Sequence, residues 1–317
     1  MQKNIKANKI AVIGAGNVGA TTVYALMAQG IGSEIVLIDI NQDKAEGEAM
    51  DLMHGSSFVK PVDIYAGDYE DLSDAHLIII TAGAAQKTGE TRLDLIKKNT
   101  EIFKNIIPSI TEYNQDAILL IVTNPVDILT YLSWKLSDYP AKRVIGSGTV
   151  LDSSRFKSLL SKHCGVAANN VHGYIIGEHG DSEVAVWSLT NIAGTKLKNY
   201  CPICDKNCHT NELEKIAENV KNSAYEIIDK KGSTFYAVSL AAARIARAIL
   251  RDENAVLTVS SLMKGYYGIN DLSLSLPTVV NSTGIEKVLD LPLAESEEKD
   301  LKKSAAQLKS NLKKLDI

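Results

Sequence analysis

Lys9-Ile10-Ala11-Val12-Ile13-Gly14-Ala15-Gly16-Asn17-Val18-Gly19 is the stretch that decides the fold: a short apolar run, three glycines spaced GxGxxG, and an apolar helical stretch continuing through Met27. In this context the first glycine permits a tight turn, the second lets backbone N–H groups approach a pyrophosphate, and the third lets the helix pack on the strand. The positive end of the helix faces the same anion. Alone the motif is weak. Asp39, about twenty residues beyond Gly19 at the end of the next apolar run, makes it specific, because its carboxylate can accept from the ribose hydroxyls of an adenosine. Ile40 and Asn41 follow, with no Arg to neutralise a 2′-phosphate, so the expected cofactor is NAD and not NADP. Lys44 is a minor candidate for the adenosine half, against the alternative of a solvated surface lysine.

Working outward, the same pattern of apolar run, Gly- or Asp-rich turn and helical stretch recurs through the first half. It predicts strands over Lys9–Ile13, Glu34–Ile38, Asp63–Ala66, Leu77–Thr81, Ala117–Val122 and Arg143–Gly146. Six β-branched runs of this kind fill a doubly wound parallel sheet covered by helices on both faces, with ligands at the carboxyl ends of the strands. From Leu151 the character changes. A helix over 152–163, a strand over 171–176 leading to Gly177, two further helices, an antiparallel pair over 255–262 and 271–280, and a closing helix from Glu295 make a second unit. The expected fold class is therefore α/β, a Rossmann-type parallel sheet over residues 1–148 followed by an α+β substrate domain over 149–317.

Composition narrows the function. The 317 residues are 45% hydrophobic and 23% charged, ordinary for a folded globular chain. A net charge of -4 gives no basic footprint for nucleic acid. The apolar runs are far shorter than the ~20 residues a bilayer span requires, and the polar amino terminus carries no export signal. Four cysteines, Cys164, Cys201, Cys204 and Cys208, are too few and too clustered to staple the chain, which fits a reducing cytoplasm.

Three groups suggest chemistry. His179 lies in Gly177-Glu178-His179-Gly180-Asp181, a polar turn directly after an apolar run, where an imidazole can exchange a proton near neutrality. Asp152 and Arg155 stand three apart in the first turn of a helix, so a carboxylate that orients the imidazole and a guanidinium that clamps a substrate carboxylate can share one face. An isolated DxxR would otherwise read as a surface ion pair. Arg92 ends the polar, glycine-containing segment 83–93, which reads as a mobile lid able to bring a cation onto a carbonyl.

Together these segments, with Leu37-Ile38-Asp39, Gly89-Glu90-Thr91-Arg92-Leu93, Thr123-Asn124-Pro125-Val126-Asp127 and Asp152-Ser153-Ser154-Arg155-Phe156, resemble the lactate/malate dehydrogenase family over nearly the whole chain, and most closely its bacterial L-lactate branch. The resemblance implies that His179 is the proton donor and acceptor, Asp152 its partner, Arg155 the carboxylate clamp and Arg92 the polarising lid residue. It adds Asn124 beside the substrate hydroxyl and Thr234 in the pocket wall. It implies cofactor contacts at Gly14, Gly16, Asn17, Val18, Gly19, Asp39, Tyr69, Gly83, Ala84, Asn105, Val122, Thr123, Asn124 and Ser147. Gln86 stands where a malate enzyme needs a cation for a second carboxylate, which implies pyruvate and L-lactate as the substrate pair. Neighbouring Lys87 leaves malate, or a bulkier 2-hydroxy acid, as the rival. A catalytically silent NAD-binding protein is the rival of another class, but it would need none of His179, Asp152, Arg155 and Arg92.

The family likeness also implies a homotetramer. Lys157 and His172 match positions where many bacterial members bind fructose 1,6-bisphosphate across a subunit interface; the alternative is an interface lysine and a core histidine. One segment departs from the family pattern. Cys201, Cys204, Cys208 and His209 fall within nine residues at a spacing compatible with a Cys3His zinc knuckle, against a plain loop with free thiols, and no metal is assigned. Tyr225 reads as a packing residue.

Overall fold

The structure, a computed structural model, describes residues 8–84, 92–200 and 210–315. The first half alternates β1 (Lys9–Ile13), α1 (Asn17–Gln29), β2 (Glu34–Ile38), α2 (Gln42–His54), β3 (Asp63–Ala66), β4 (Leu77–Ile80), α3 (Arg92–Tyr113), β5 (Ile118–Ile121), α4 (Val126–Ser137) and β6 (Val144–Gly146). The second half contains α5 (Val150–Cys164), β7 (Val171–His172), β8 (Ile175–Ile176), β9 (Val184–Ala185), β10 (Asn191–Ile192), β11 (Thr195–Lys196), α6 (Leu197–Tyr200), α7 (Thr210–Lys231) and α8 (Tyr236–Leu250). It closes with β12 (Ala255–Leu257), β13 (Ser260–Lys264), β14 (Asn270–Ser275), β15 (Thr278–Asn281), β16 (Gly284–Val288) and α9 (Glu295–Lys313).

The main sheet runs β14-β13-β6-β5-β4-β1-β2-β3, parallel from β6 to β3. Strand order reverses between β1 and β4, the crevice where such sheets bind ligands. Register decides what meets there. Ile13 lies opposite both Ile38 and Ile80, and Ile80 opposite Ile121, so Gly14, Asp39, Thr81 and Val122 leave the carboxyl edge at one level.

Alternation along each strand sends side chains to two cores. Ile10, Val12, Leu37 and Ile79 pack with Leu26 of α1 and Ile245 of α8, while Ala11, Ile13, Val36 and Ile78 pack with Phe103 of α3 and Leu129 of α4. Burial on both faces is why these runs are continuously apolar. Helix α8 covers the first-half helix α1, where Ser239 Oγ donates to the Val18 carbonyl at 3.1 Å.

Two expectations are corrected. The strand over 171–176 is two short pieces, because at Gly173 the chain passes so close to Phe156 that a Cβ would lie 2.7 Å from the ring; β7 pairs with β10 and β8 with β9. The pair over 255–280 is also divided. Pro277, which offers no N–H to a ladder, lies between β14 and β15. As a result β13 and β14 extend the main sheet through Ser260 opposite Gly146, while β12, β15 and β16 form a sheet of their own.

Candidate active site

The glycine turn has the tolerances expected of a pyrophosphate cradle. Gly14 has φ +109°, and a Cβ there would lie 2.6 Å from the Ala82 nitrogen; a Cβ on Gly19 would lie 1.7 Å from the Gly14 carbonyl oxygen. At Gly16 nothing stands within 4 Å of an added Cβ, so the backbone at the N-terminus of α1 is open to a ligand. That terminus has no side-chain cap and no acidic residue in its first turn, which leaves its N–H groups for an anion. Asp39 accepts from Ala15 N at 2.6 Å and Asn41 N at 2.9 Å, each oxygen keeping lone-pair capacity for a ribose hydroxyl. Beside it the Ile40 side chain is fully exposed, an apolar surface on which a purine can lie. These residues fit NAD. Gly19→Ala is expected to wedge α1 away from β1 at a cost of about 1–3 kcal/mol or more, read as a lower thermal midpoint and weaker quenching titration with NADH.

The acid–base group is assembled from two elements. Helix α5, starting just after β6, carries Asp152 and Arg155 on one face, with Arg155 Nη1 donating to Asp152 Oδ1 at 2.8 Å. The other carboxylate oxygen, Oδ2, lies 2.5 Å from His179 Nδ1. Asp152, only 2% exposed, thereby fixes the tautomer and leaves Nε2 for a substrate. Burial pulls the imidazole pKa down, but the charge and hydrogen bond of Asp152, with Asp127 and Glu183 behind it, raise it to about 9. Burial pushes Asp152 up, and the charges and hydrogen bonds of His179 and Arg155 outweigh this and hold it below the usual carboxylate range.

The loop carrying His179 is pinned on several sides. Gly177 and Ser275 of β14 exchange backbone hydrogen bonds at 2.9 and 3.0 Å, and Glu178 N donates to Ser304 Oγ of α9 at 2.8 Å. Asp127 of α4 accepts from His179 N at 2.7 Å and from Ser260 Oγ at 2.6 Å. Burial raises the Asp127 carboxyl to about 7 against the pull of those two hydrogen bonds.

His179, Asp152 and Arg155 open into a cavity of about 450 Å3 whose wall also includes Val18, Thr81, Gly83, Ala84, Val122, Thr123, Asn124 and Thr234. The cofactor loops and the acid–base group therefore share one space. Asn99 of α3, 1% exposed, braces it: its Oδ1 accepts from Ala84 N at 2.7 Å and its Nδ2 donates to the Asn124 carbonyl at 2.8 Å.

Family models match both halves: residues 8–146 match the lactate/malate dehydrogenase NAD binding domain, and residues 149–316 match the lactate/malate dehydrogenase alpha/beta C-terminal domain. The chain belongs to the lactate/malate dehydrogenase family. Within this family it is 58% identical over 310 residues to an L-lactate dehydrogenase of Thermoanaerobacter sp. (strain X514), covering 98% of this chain and 100% of the relative. It is 58% identical over 317 residues to an L-lactate dehydrogenase of Acetivibrio thermocellus, covering 100% of both. The ligands-bound crystal structure of the minor L-lactate dehydrogenase from Enterococcus mundtii superposes with a TM-score of 0.95 at 43% identity, covering 98% of each chain.

The remaining family positions are distributed as follows. Lys44 is exposed in the first turn of α2, and Tyr69 follows β3, its hydroxyl pKa raised by burial; neither lines the 450 Å3 cavity. Asn105 is exposed on α3 and donates to the Glu101 carbonyl at 2.9 Å, and buried Ser147 follows β6. Asn17 of the glycine turn reaches Ser233 Oγ at 3.4 Å. Gln86 and Lys87 lie outside the described residues, as do Cys201, Cys204, Cys208 and His209; Arg92 is described by its backbone, as the first residue of α3. Among the described residues no cluster of His, Cys, Asp or Glu could hold a metal ion, and no helix is long and apolar enough to cross a membrane. Lys157 is half-buried, its ammonium 5.8 Å from the centre of the Tyr174 ring and its pKa lowered by burial. His172 is exposed on β7, which removes the alternative of a core histidine. Tyr225, expected to be packing, lies on the cavity wall with its hydroxyl donating to Asp181 Oδ1 at 2.9 Å.

Asp127 and Asn99 escaped the residue-by-residue reading. Asp127 stands in a quoted motif but reads locally as an acid in the first turn of a helix, and nothing near Asn99 in sequence signals that its amide spans two loops.

Proposed function

We propose that this chain catalyses the reversible reaction pyruvate + NADH + H+ to L-lactate + NAD+. The observation that carries the reading is the Arg155–Asp152–His179 chain, at 2.8 and 2.5 Å, opening into the cavity that Val18 of α1 and the residues following β4 and β5 also line. NADH bound in the cradle supplies the hydride to C2. Arg155 spends one nitrogen on Asp152 and keeps the rest of its planar fork for the substrate carboxylate. His179, charged at neutral pH because its pKa lies near 9, donates from Nε2 to the carbonyl oxygen; in the reverse direction the neutral ring accepts the hydroxyl proton. Asp152 stabilises the imidazolium and holds the ring in place. Asn124 and Thr234 line the pocket, and the family likeness assigns carbonyl polarisation to Arg92.

Residues 1–148 are proposed to hold the dinucleotide and residues 149–317 to carry the acid and the clamp, with 83–93 as the lid. The uncharged Gln86 favours pyruvate, since oxaloacetate would bring an unpaired second carboxylate into a closed site at a cost on the order of 3–5 kcal/mol. Loss of NADH absorbance with each oxo acid tests the assignment: pyruvate is expected to be used at least about 100-fold more efficiently than oxaloacetate. Preference for oxaloacetate would make the chain a malate enzyme, and turnover of neither would overturn the reading.

The few, clustered cysteines support a cytoplasmic location, and the family likeness supports a homotetramer; light scattering checks the assembly. Lys157 and His172 are proposed to bind fructose 1,6-bisphosphate, a reading supported by a half-buried ammonium that lacks full solvation. A lowered KM for pyruvate on adding the bisphosphate supports it, and an unchanged KM leaves both residues to subunit contact.

A further inference from the structure

Proton and hydride have to reach one carbonyl, yet the groups that deliver them belong to different domains. Asp152, Arg155 and His179 all lie within residues 149–316, so the bonds among them fix the acid and the clamp to each other but not to the glycine cradle, which lies within residues 8–146. The Gly177–Ser275 and Glu178–Ser304 bonds that pin the His179 loop also stay within residues 149–316. Asp127 is placed differently. It stands in the first turn of α4, within residues 8–146, and its Oδ2 accepts from His179 N at 2.7 Å. Three residues before it is Asn124, part of the wall of the 450 Å3 cavity. The link is backed by a third element. Fully buried Ser260 of β13 donates from Oγ to Asp127 Oδ1 at 2.6 Å. Ser260 comes this close because β13 joins the main sheet with Ser260 opposite Gly146, where an added Cβ would lie 2.8 Å from the Ser260 Cβ. Asp127 therefore sits in the NAD binding domain and grips two donors of the C-terminal domain, and at 2% exposure its bonds are shielded from water.

We propose that Asp127, backed by Ser260, is a positioning residue that fixes His179 against the cofactor domain, so that the proton from Nε2 and the hydride arrive at the same C2 carbonyl in register. The proposal rests on the reading of His179 as the proton donor to a 2-oxo acid. Asp127 acts through the His179 main chain, and the role needs geometry and no particular charge. An ionised carboxylate accepts both bonds; a protonated one accepts from His179 N through its carbonyl oxygen and donates to Ser260 Oγ, whose hydroxyl can turn to suit. Asparagine has the same shape and makes the same two links, with Oδ1 toward His179 N and Nδ2 toward Ser260 Oγ. Alanine makes neither.

The test is steady-state pyruvate reduction, with NADH affinity by fluorescence titration, on the parent, Asp127→Ala, Asp127→Asn and Ser260→Ala. Asp127→Ala is expected to lower kcat by about 10–100-fold, the scale on which a misplacement of up to ~1 Å at a reacting group acts. Because Arg155 and the glycine cradle are untouched, KM for pyruvate and Kd for NADH are expected to stay within about three-fold. Asp127→Asn is expected to recover most of the loss, to within about five-fold of the parent kcat, and Ser260→Ala, which frees one carboxyl oxygen, to lose about 3–10-fold in kcat alone. A kcat in Asp127→Ala within about two-fold of the parent overturns the proposal. So does an Asp127→Asn as slow as the alanine variant, which would make the carboxylate's charge the active property, and so does a parallel rise in KM and Kd, which would mark a general loosening of the site. If Asp127→Ala does not fold, Ser260→Ala decides, and a parent kcat there overturns the proposal. A parent that reduces no pyruvate removes the functional reading and this proposal with it, whereas normal parent turnover with any of the overturning variant results removes the proposal alone.

Discussion

His179→Asn is expected to lower kcat for pyruvate reduction by on the order of 10²–10⁴-fold, while NADH affinity, measured by fluorescence titration, stays within about two-fold. The asymmetry follows from geometry. His179 is hydrogen-bonded to Asp152, and Gly14, Gly16 and Asp39 do not line its cavity, so its removal takes away the proposed proton donor and leaves the cradle intact. Its ionisation also sets opposite pH trends for the two directions. Pyruvate reduction needs the imidazolium, present below the raised pKa of about 9 and lost as pH rises through it; lactate oxidation needs the neutral ring and gains over the same interval. Asp152→Asn is expected to move that midpoint down, because the charge that offsets burial of the imidazolium is removed. Wild-type turnover in His179→Asn would sink the mechanism.

Arg155→Lys is expected to raise KM for pyruvate by on the order of 10²-fold, corresponding to about 2–3 kcal/mol, with a smaller effect on kcat. A lysine keeps the positive charge but not the planar fork, so it cannot bond Asp152 and the substrate carboxylate together in fixed geometry. Asp152 would also lose the 2.8 Å bond to one of its two charged partners and orient His179 less firmly. Steady-state kinetics on the purified variant separate the two parameters; a KM within three-fold of the parent would assign the carboxylate clamp elsewhere.

Much of the site was legible because its chemistry is concentrated in short motifs. Gly14, Gly16, Gly19 and Asp39 are close in sequence to the strands that position them, and Asp152 and Arg155 share a helix face by their spacing alone. His179 was legible through its polar turn, but its partner was 27 residues away, and pairing the two drew support from family likeness as well as spacing. Asp127 was not legible as a functional group, because its partners, His179 N and Ser260 Oγ, lie 52 and 133 residues away.

By itself the sequence determined the parallel sheet and the glycine turn and put Asp152 and Arg155 on one helix face, because alternation, glycine spacing and helix periodicity are local properties that each segment carries with it. Tertiary structure alone decided that β13 and β14 complete the first sheet, that the chain at Gly173 passes close to Phe156, and that Asn99 ties the loops after β4 and β5 together. It also decided which carboxyls are desolvated. Strand partnership, close approach and desolvation depend on what packs from elsewhere in the chain, and no local pattern encodes the neighbour that arrives.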